Sequence, residues 1–444
     1  MANPAKTNQH SYIHFSISFL GMGIKYKARE IAEIIERQEK VRIITHCDAD
    51  GITGASIAKK VLDEAGIKNE IEVVRYLDRK KIREFEEFTW LIDIGNGIKS
   101  SGKNFVITDH HFSEELYNYA LNPFHFGMDG EYEISASGLT YLVASNIMKI
   151  EPDIAIIGAI GDLQDLRFGK LVGLNRELLK KSGIEIKKDI RIYGRGKPLQ
   201  KMIAYSNDPI IPGIFRRERN AIGFLKRIGI DYKKSWIECS KEEKKRILSS
   251  LIKIMIEKGF SYNYINRIFG EVYEMNGIDL REYATLLNSI GKYGYGKKAI
   301  EMCINGNFDA EEIMKEHRRR ISNYIKYAKK RLEEYGKIYY FHGDGYIMDT
   351  LLGTIAGMVL KEENFPSPIL AFAENSEGIK VSARAPYMLI ERGINLSLAV
   401  KNAAKIAGGD GGGHKTAAGA IIPKGKEEEF LQIFNSEIKN QLNL

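Results

Sequence analysis

The sequence predicts an α/β chain in three parts: an N-terminal parallel-sheet domain, an inserted helical region, and a smaller C-terminal α/β domain. Three observations carry this reading. Short apolar runs alternate with helical patterns over residues 23–190. Long Lys/Glu/Ile-rich segments of helical period fill Ser240 to Glu334, broken by glycines around Gly291 to Gly296, and strand and helix patterns alternate again from Lys337. The expected domains are an extension over 1–22, a first α/β domain over 23–190, a linker with a basic helical insertion over 191–336, and a second α/β domain over 337–444. No repeat or low-complexity tract interrupts them.

Ala28 to Gln38 reads as the first helix. The apolar run Tyr12 to Met22 before it makes Met22 a candidate for the physiological start, with residues 1–21 as a loosely held extension. Val41 to Thr45 is a buried strand leading into His46-Cys47-Asp48-Ala49-Asp50-Gly51, and Ile52 to Ala65 follows as a helix. If the extended chain continues, alternation places His46, Asp48 and Asp50 on one side and the small Cys47 and Ala49 on the other. Thr89 to Gly95 is a further apolar strand carrying Asp93 near its end. Asn104 to Thr108 runs into Asp109-His110-His111, and a fourth element, Ile156 to Gly161, ends at Asp162. Four elements of one sheet thus present an acid or a histidine where open parallel sheets place ligand sites.

The run Gly408-Gly409-Asp410-Gly411-Gly412-Gly413-His414 invites a dinucleotide-binding reading, which needs a strand before the glycines and a helix after them. Here the order is reversed, with a helix over Leu396 to Ala407 and a strand over Ala417 to Ile422, so that reading is rejected. A helix-to-strand glycine loop can instead expose backbone amides as an anion nest, with His414 and Lys415 adding donors.

Together, His-x-Asp-x-Asp-Gly, the lone strand Asp93, Asp-His-His and the later Gly-Asp resemble the DHH phosphoesterase superfamily. The C-terminal glycine run with Lys415-Thr416-Ala417-Ala418-Gly419 resembles that superfamily's DHHA1 substrate-binding domain. The likeness is nearest to the archaeal RecJ-like nucleases, supported by Lys197-Pro198-Leu199-Gln200-Lys201-Met202 and Leu286-Leu287-Asn288-Ser289-Ile290-Gly291. The resemblance implies that His46 and Asp48 hold one cation with Asp93, while Asp50, His110 and Asp162 hold another. It further implies that His111 touches the scissile phosphate, that Asp109 orients a histidine, and that Arg384 with Gly411, Gly412, Gly413, His414 and Lys415 grips nucleic-acid phosphate. The implied activity is exonucleolytic hydrolysis of single-stranded DNA or RNA in replication or repair. Related members hydrolyse short oligonucleotides or cyclic dinucleotides, and others serve as replication scaffolds, for which a basic helical insertion would dock a helicase or the GINS complex.

Chemistry gives an independent reason for these residue types. Two divalent ions about 3.5–4 Å apart need a bridging carboxylate and separate terminal ligands, and they stabilise both oxygens of phosphoryl transfer. Asp93 is the best bridge. Mixed carboxylate and imidazole ligation suits two Mn²⁺ ions ahead of Mg²⁺, and an activated water then serves as nucleophile in place of a serine or cysteine. Asp165 is expected to support the ligands or face solvent, and Cys47 to fill a small buried space.

Composition agrees. Hydrophobic residues make up 44% of the chain, enough for two or three cores. Net charge is −3 over residues 1–190, +13 over 191–340 and −2 over 341–444, within a total of +8. The basic middle suits a polyanion path, with Arg216-Arg217-Glu218-Arg219 and Arg318-Arg319-Arg320 densest. Tyr205, Phe215, Tyr262, Tyr264 and Tyr293 lie nearby, most of them at core spacing. Cys47, Cys239 and Cys303 lack metal-binding spacing, and Tyr12 to Met22 is too short to span a bilayer. The expectation is a cytoplasmic protein that does not enter membranes.

Overall fold

The computed structural model describes residues 23–442, apart from 76, 78–85, 97, 99–103, 113–117, 207, 310, 364 and 376. The expected extension over 1–22 and the candidate start at Met22 lie outside the described residues. The described residues form two compact units, one drawn from 23–191 and 269–311, the other from 192–268 and 312–442.

The first unit begins with α1 (23–36), followed by β1 (Lys40–His46), α2 (Ala49–Glu64), β2 (Lys68–Val74), β3 (Thr89–Ile92), β4 (Phe105–Thr108) and β5 (Ala120–Leu121). Helices α3 (Ala136–Ile147), α4 (Asp153–Gly161) and α5 (Gly173–Lys181) and strand β6 (Glu185–Ile190) complete its first pass. The five leading strands form a parallel sheet in the order β2-β1-β3-β4-β5. β3 and β4 are buried throughout, which is why both read as unbroken apolar runs. Ile44, Leu91 and Ile107 sit in register on one face, packed with Ile98, Phe105 and Ala120. On the other face Thr108 accepts a hydrogen bond from the Trp90 indole at 3.1 Å and shares one with Thr140 of α3 at 2.8 Å, tying sheet to helix.

After α6 (Leu199–Ala204), α7 (Glu218–Arg227), α8 (Lys241–Glu257) and α9 (Tyr262–Ile265), the chain returns as β7 (Phe269–Met275), β8 (Ile278–Asp279), α10 (Leu280–Lys292) and α11 (Gly296–Asn305). β7 pairs antiparallel with β6, α10 packs on α4, and α11 packs on α2. The span 191–336, expected as a linker with a basic helical insertion, is shared between the two units, because the amphipathic face of α10 buries Leu280, Leu286, Leu287 and Ile290 within the first unit. Among the described residues this return also seals the only fully buried ion pair with a second cation. Asp165 accepts from Arg191 Nη2 at 2.6 Å and from Arg281 Nη2 at 2.7 Å, and burial alone would raise its carboxyl pKa, but the two arginines hold it below the usual range.

The second unit continues with α12 (Glu311–Lys330), β9 (Glu333–Tyr335), β10 (Ile338–His342), α13 (Asp349–Glu363), β11 (Ile369–Asn375), β12 (Gly378–Arg384), α14 (Tyr387–Glu391), α15 (Leu396–Ile406), β13 (Asp410–Gly413), β14 (Ala417–Ile422) and α16 (Glu427–Gln441). Its six strands run β13-β14-β12-β11-β10-β9, mixed, over a core that includes Phe372, Val381, Phe430 and Phe434. The glycine run, expected as an open loop, is the edge strand β13, paired antiparallel with β14. A side chain on Gly411 would meet Ala420 Cβ at 2.9 Å and Ala404 Cβ at 3.1 Å, so the glycines serve close packing of strand against α15 as well as any ligand. Among the described residues no helix is long and apolar enough to cross a membrane, and the three cysteines are free and buried.

Gly291 of α10 touches the elbow after β1: a Cβ there would lie 1.8 Å from the Cys47 carbonyl oxygen. Gly291→Ala is expected to destabilise the fold by about 1–3 kcal/mol, read as a lowered denaturation midpoint. An unchanged midpoint would mean that α10 does not press on the elbow.

Candidate metal centre

β1 ends at His46, and the chain does not stay extended beyond it. Asp48 becomes the N-cap of α2, accepting from the Gly51 amide at 3.0 Å, and Asp50 lies in the first helical turn. The strand alternation expected for His46, Asp48 and Asp50 is thus replaced by a helix start, because an Asp with free amides three residues on caps better than it continues a strand. The two acids consequently face different partners. Asp48 meets His46 Nδ1 at 2.8 Å, whereas Asp50 is buried against the start of α3, accepting from Ala136 N at 2.7 Å, Ser137 N at 3.0 Å and Ser137 Oγ at 2.5 Å.

Asp93 follows β3 with φ 57°, a left-handed conformation uncommon for a residue with a Cβ, and its carboxylate is buried. Oδ2 lies 3.2 Å from His46 Nδ1. Oδ1 lies 3.5 Å from His110 Nε2 and 3.9 Å from His111 Nδ1, and this buried oxygen has no hydrogen-bond donor. His110, after β4, shares its Nδ1 hydrogen with the Gly130 carbonyl at 2.7 Å, which leaves Nε2 facing Asp162 Oδ2 at 3.2 Å and Asp50 Oδ2 at 3.9 Å. Asp162 is the C-cap of α4; the element before it, read from sequence as belonging to the sheet, is a helix. After Asp153 its run IAIIGAI is uniformly apolar and almost wholly buried, and so carries no amphipathic period to tell helix from strand.

Three groups with donor atoms mutually within 4.8 Å result: His46, Asp48 and Asp93; Asp50, His110 and Asp162; and Asp93, His110 and His111. The electrostatics without a cation are strained. Burial, then the charges of Asp93 and Asp162, push the Asp50 carboxyl up to about 7, and burial and Asp48 raise Asp93. Burial opposes protonation of His46 and His110, yet the surrounding carboxylates lift both well above the usual imidazole range. Asp48 moves the other way: burial would raise it, but His46 holds it low. Four acids and three imidazoles gathered around the buried Asp93 carboxylate are a donor set of the kind that fits hard divalent cations.

Asp109 stands behind the cluster. It accepts from the His111 amide at 3.1 Å and from the Asn96 amide at 3.0 Å, and meets His111 Nδ1 at 2.7 Å. Burial opposes it, but Asp109 raises the His111 pKa to about 9. Sequence reasoning missed several supports: Gln164, which donates to the Gly130 carbonyl at 2.9 Å beside His110; Asn96; and Ser137. Asn288, which accepts from the Ala49 amide at 2.9 Å, lies within the segment already noted in the sequence.

The residues expected to grip phosphate lie in the second unit. Arg384 ends β12 opposite Ala417, and Ala417 closes a turn with His414 at 2.8 Å, so Arg384 and the turn holding His414 and Lys415 share one end of the sheet. Burial lowers the Arg384 pKa to about 10, and its guanidinium lies against α13, where a Cβ on Gly353 would meet Nη2 at 2.3 Å. Gly411, Gly412 and Gly413 belong to the paired strand β13 in place of an open nest. Of the aromatics near the basic clusters, Phe215 and Tyr264 are core, while Tyr205 and Tyr262 are exposed. Arg319 and Arg320 both pair with Glu316 on α12, and these bonds lower the Glu316 pKa to about 2.

Known proteins match this arrangement. A model of the DHH family, N-terminal domain, covers residues 40–161, the DHH-CID domain covers 192–269 and the DHHA1 domain covers 337–440. An uncharacterised protein of Methanocaldococcus jannaschii is 31% identical over 437 residues, spanning 92% of this chain and 96% of its own. The single-stranded-DNA-specific exonuclease RecJ of Bacillus subtilis is 25% identical over 228 residues, 44% of this chain and 29% of that one. Among solved structures, Thermus thermophilus RecJ in complex with Mn²⁺ superposes with a TM-score of 0.56 at 16% identity, covering 94% of this chain but 55% of RecJ. Entamoeba histolytica CDC45 superposes at 0.59 and 12% identity, over 96% and 99%.

Mn²⁺ is expected to raise the thermal midpoint of the native chain, by the equivalent of about 2.7 kcal/mol at a hundredfold excess over Kd. In Asp93→Asn that rise should vanish while the metal-free midpoint holds or increases, since one of the repelling buried carboxylates is gone. An Asp93→Asn chain still stabilised by Mn²⁺ would remove Asp93 from the ligand set.

Proposed function

The chain belongs to the DHH family, and on that premise we propose that it is a metal-dependent exonuclease hydrolysing phosphodiester bonds in single-stranded DNA or RNA. The observation that carries the reading is the buried Asp93 carboxylate, whose Oδ2 faces His46 and whose Oδ1 faces His110 and His111, in donor groups that adjoin Asp48 on one side and, through His110, Asp50 and Asp162 on the other. In this reading His46 and Asp48 hold one Mn²⁺ with Asp93, and Asp50, His110 and Asp162 hold a second, with Mg²⁺ the lesser substitute. When bound, such ions supply Lewis acidity to the phosphodiester and lower the pKa of water.

The chain's own groups do the rest. The Gly130 carbonyl fixes the His110 tautomer, so that Nε2 is the ligand atom. Asp109 grips His111 Nδ1 and keeps that imidazole protonated near neutral pH, so its free Nε2–H can hydrogen-bond a phosphate oxygen and donate its proton to the leaving oxygen. In the second unit Arg384 is a ready anion partner, desolvated against α13 and beside the His414–Lys415 turn. The single-stranded-DNA-specific activity of the Bacillus subtilis relative supports single-stranded DNA as substrate, and the Mn²⁺ complex of the Thermus thermophilus structure supports the cofactor.

A second reading rests on the likeness to CDC45: a docking role in replication, with exposed basic helix α12 meeting a helicase or GINS-like partner. The ligand set, complete in every position the family motif names, favours hydrolysis.

With Mn²⁺, end-labelled single strands of DNA or RNA are expected to shorten progressively, chelation should abolish the reaction, and His111→Ala should slow it about 10²–10⁴-fold. Cleavage confined to two- to four-residue oligomers would favour a small-substrate phosphodiesterase. No cleavage at any length would favour the docking role.

A further inference from the structure

Three apolar side chains stand exposed along the rim of the cluster. Phe112, 67% exposed, directly follows His111; Leu163, 52% exposed, directly follows Asp162; and Phe168, 50% exposed, lies at the far end of the turn that Asp162 opens. Single exposed apolar residues are ordinary on a protein surface. These three are distinguished by where they fall and how they are held.

Phe112 is fixed by its backbone, its carbonyl accepting from Asn96 Nδ2 at 2.6 Å, while its ring has edge-to-face support from Phe124 at 5.2 Å and otherwise faces solvent. Phe124 in turn abuts Gly130, the residue whose carbonyl orients His110: a Cβ on Gly130 would lie 3.0 Å from the Phe124 ring and 1.9 Å from the His110 carbonyl oxygen. Two residues beyond Gly130, the Tyr132 ring meets Phe168 at 5.9 Å and 83°, and the Arg167 guanidinium sits 4.7 Å from the Tyr132 centroid and 5.3 Å from that of Phe168. Leu163 adopts φ 60°, a conformation that residues with a Cβ avoid, and it holds the leucine outward next to Asp162. Rings, a guanidinium and a strained leucine thus border the His110–Asp162 side of the cluster.

Resting on the exonuclease reading, we infer that this rim is a base-stacking subsite, in which the Phe112 ring, with Leu163 and Phe168 beyond it, takes the nucleobase of the nucleotide whose phosphodiester lies at the cluster. Stacking suits an enzyme that must accept every base, since each has a π face and none needs a dedicated hydrogen bond. Arg167, held between two rings, adds a cation that tolerates both the base and the neighbouring phosphate. The subsite therefore selects nucleic acid over phosphate polymers that carry no bases.

The test uses the full chain with Mn²⁺ and single-stranded DNA whose terminal nucleotide, at the 5′ or the 3′ end, either carries its base or is an abasic tetrahydrofuran residue. The native protein is expected to favour the base-bearing end in kcat/KM by about tenfold or more. Phe112→Ala should bring that ratio close to one, and Phe112→Trp should keep it high. Because the readout is a ratio, a general loss of activity leaves it intact. Equal rates on the two ends by the native protein, or a native-like ratio in Phe112→Ala, overturn the subsite while leaving the exonuclease reading in place. A chain that cuts neither strand overturns the exonuclease reading and the inference with it.

Discussion

The structure depends on holding the carboxylates of Asp48, Asp50, Asp93 and Asp162 together at strand and helix ends, with Asp50 and Asp93 buried. Asp93 concentrates the problem: it is buried, strained at φ 57°, and one of its oxygens has no donor. Like charges in a dry site repel, and burial penalises each ionised form separately. A fold selected for stability alone would replace such a residue with an apolar one. In the proposed reading that electrostatic penalty becomes affinity, because the repulsion among the carboxylates favours a cation placed between them.

The surrounding elements offset that cost with backbone dipoles. The hexapeptide after β1 carries two acids, and the chain sends them in opposite electrostatic directions. Asp48 caps α2 beside His46 and is held ionised, whereas Asp50 turns into the start of α3, receives three donors from Ala136 and Ser137, and is still pushed up to about 7 by burial, Asp93 and Asp162. Helix N-termini are the natural place to hold such charge, since their amides have no intrahelical acceptors. Behind Asp162, the loop is anchored through Asp165 to Arg191 and Arg281, and Arg281 belongs to α10, which returns from beyond the second unit's first segment. The metal-seeking residues come from the first half of the sequence, but their rigidity depends on residues more than a hundred positions later.

That dependence marks the boundary of what the sequence reveals. The leading strands β3 and β4 and the acids after them were legible because both strands are short, mostly apolar and followed at once by Asp93 and by Asp109-His110-His111. The Leu396 to Ala407 helix and the Ala417 to Ile422 strand were legible through their periods, and the structure places α15 and β14 there. Three local readings went differently, each for a physical reason. The extended chain expected past His46 yields to N-capping by Asp48. The element before Asp162 is a buried helix without polar faces. The glycine run pairs as a strand because α15 packs too closely for side chains. The return of 269–311 to the first unit was hidden because helical period states which face is buried and not against what. Gln164 and Asn96 were invisible for a similar reason, since a supporting amide has no motif until the fold sets it beside a histidine.

Fold likeness by itself does not choose among activities: Thermus thermophilus RecJ and Entamoeba histolytica CDC45 superpose on this chain about equally well. What separates the readings is chemistry at particular atoms. A docking surface gains nothing from a donorless buried carboxylate oxygen, from a histidine held protonated by a dedicated aspartate, or from a second histidine whose tautomer is fixed by a backbone carbonyl. The buried oxygen costs stability, and the two oriented histidines lie beside it in one cluster. Such a cost persists where an occupied site repays it, and that is the physical case for the proposed hydrolytic reading over a docking role.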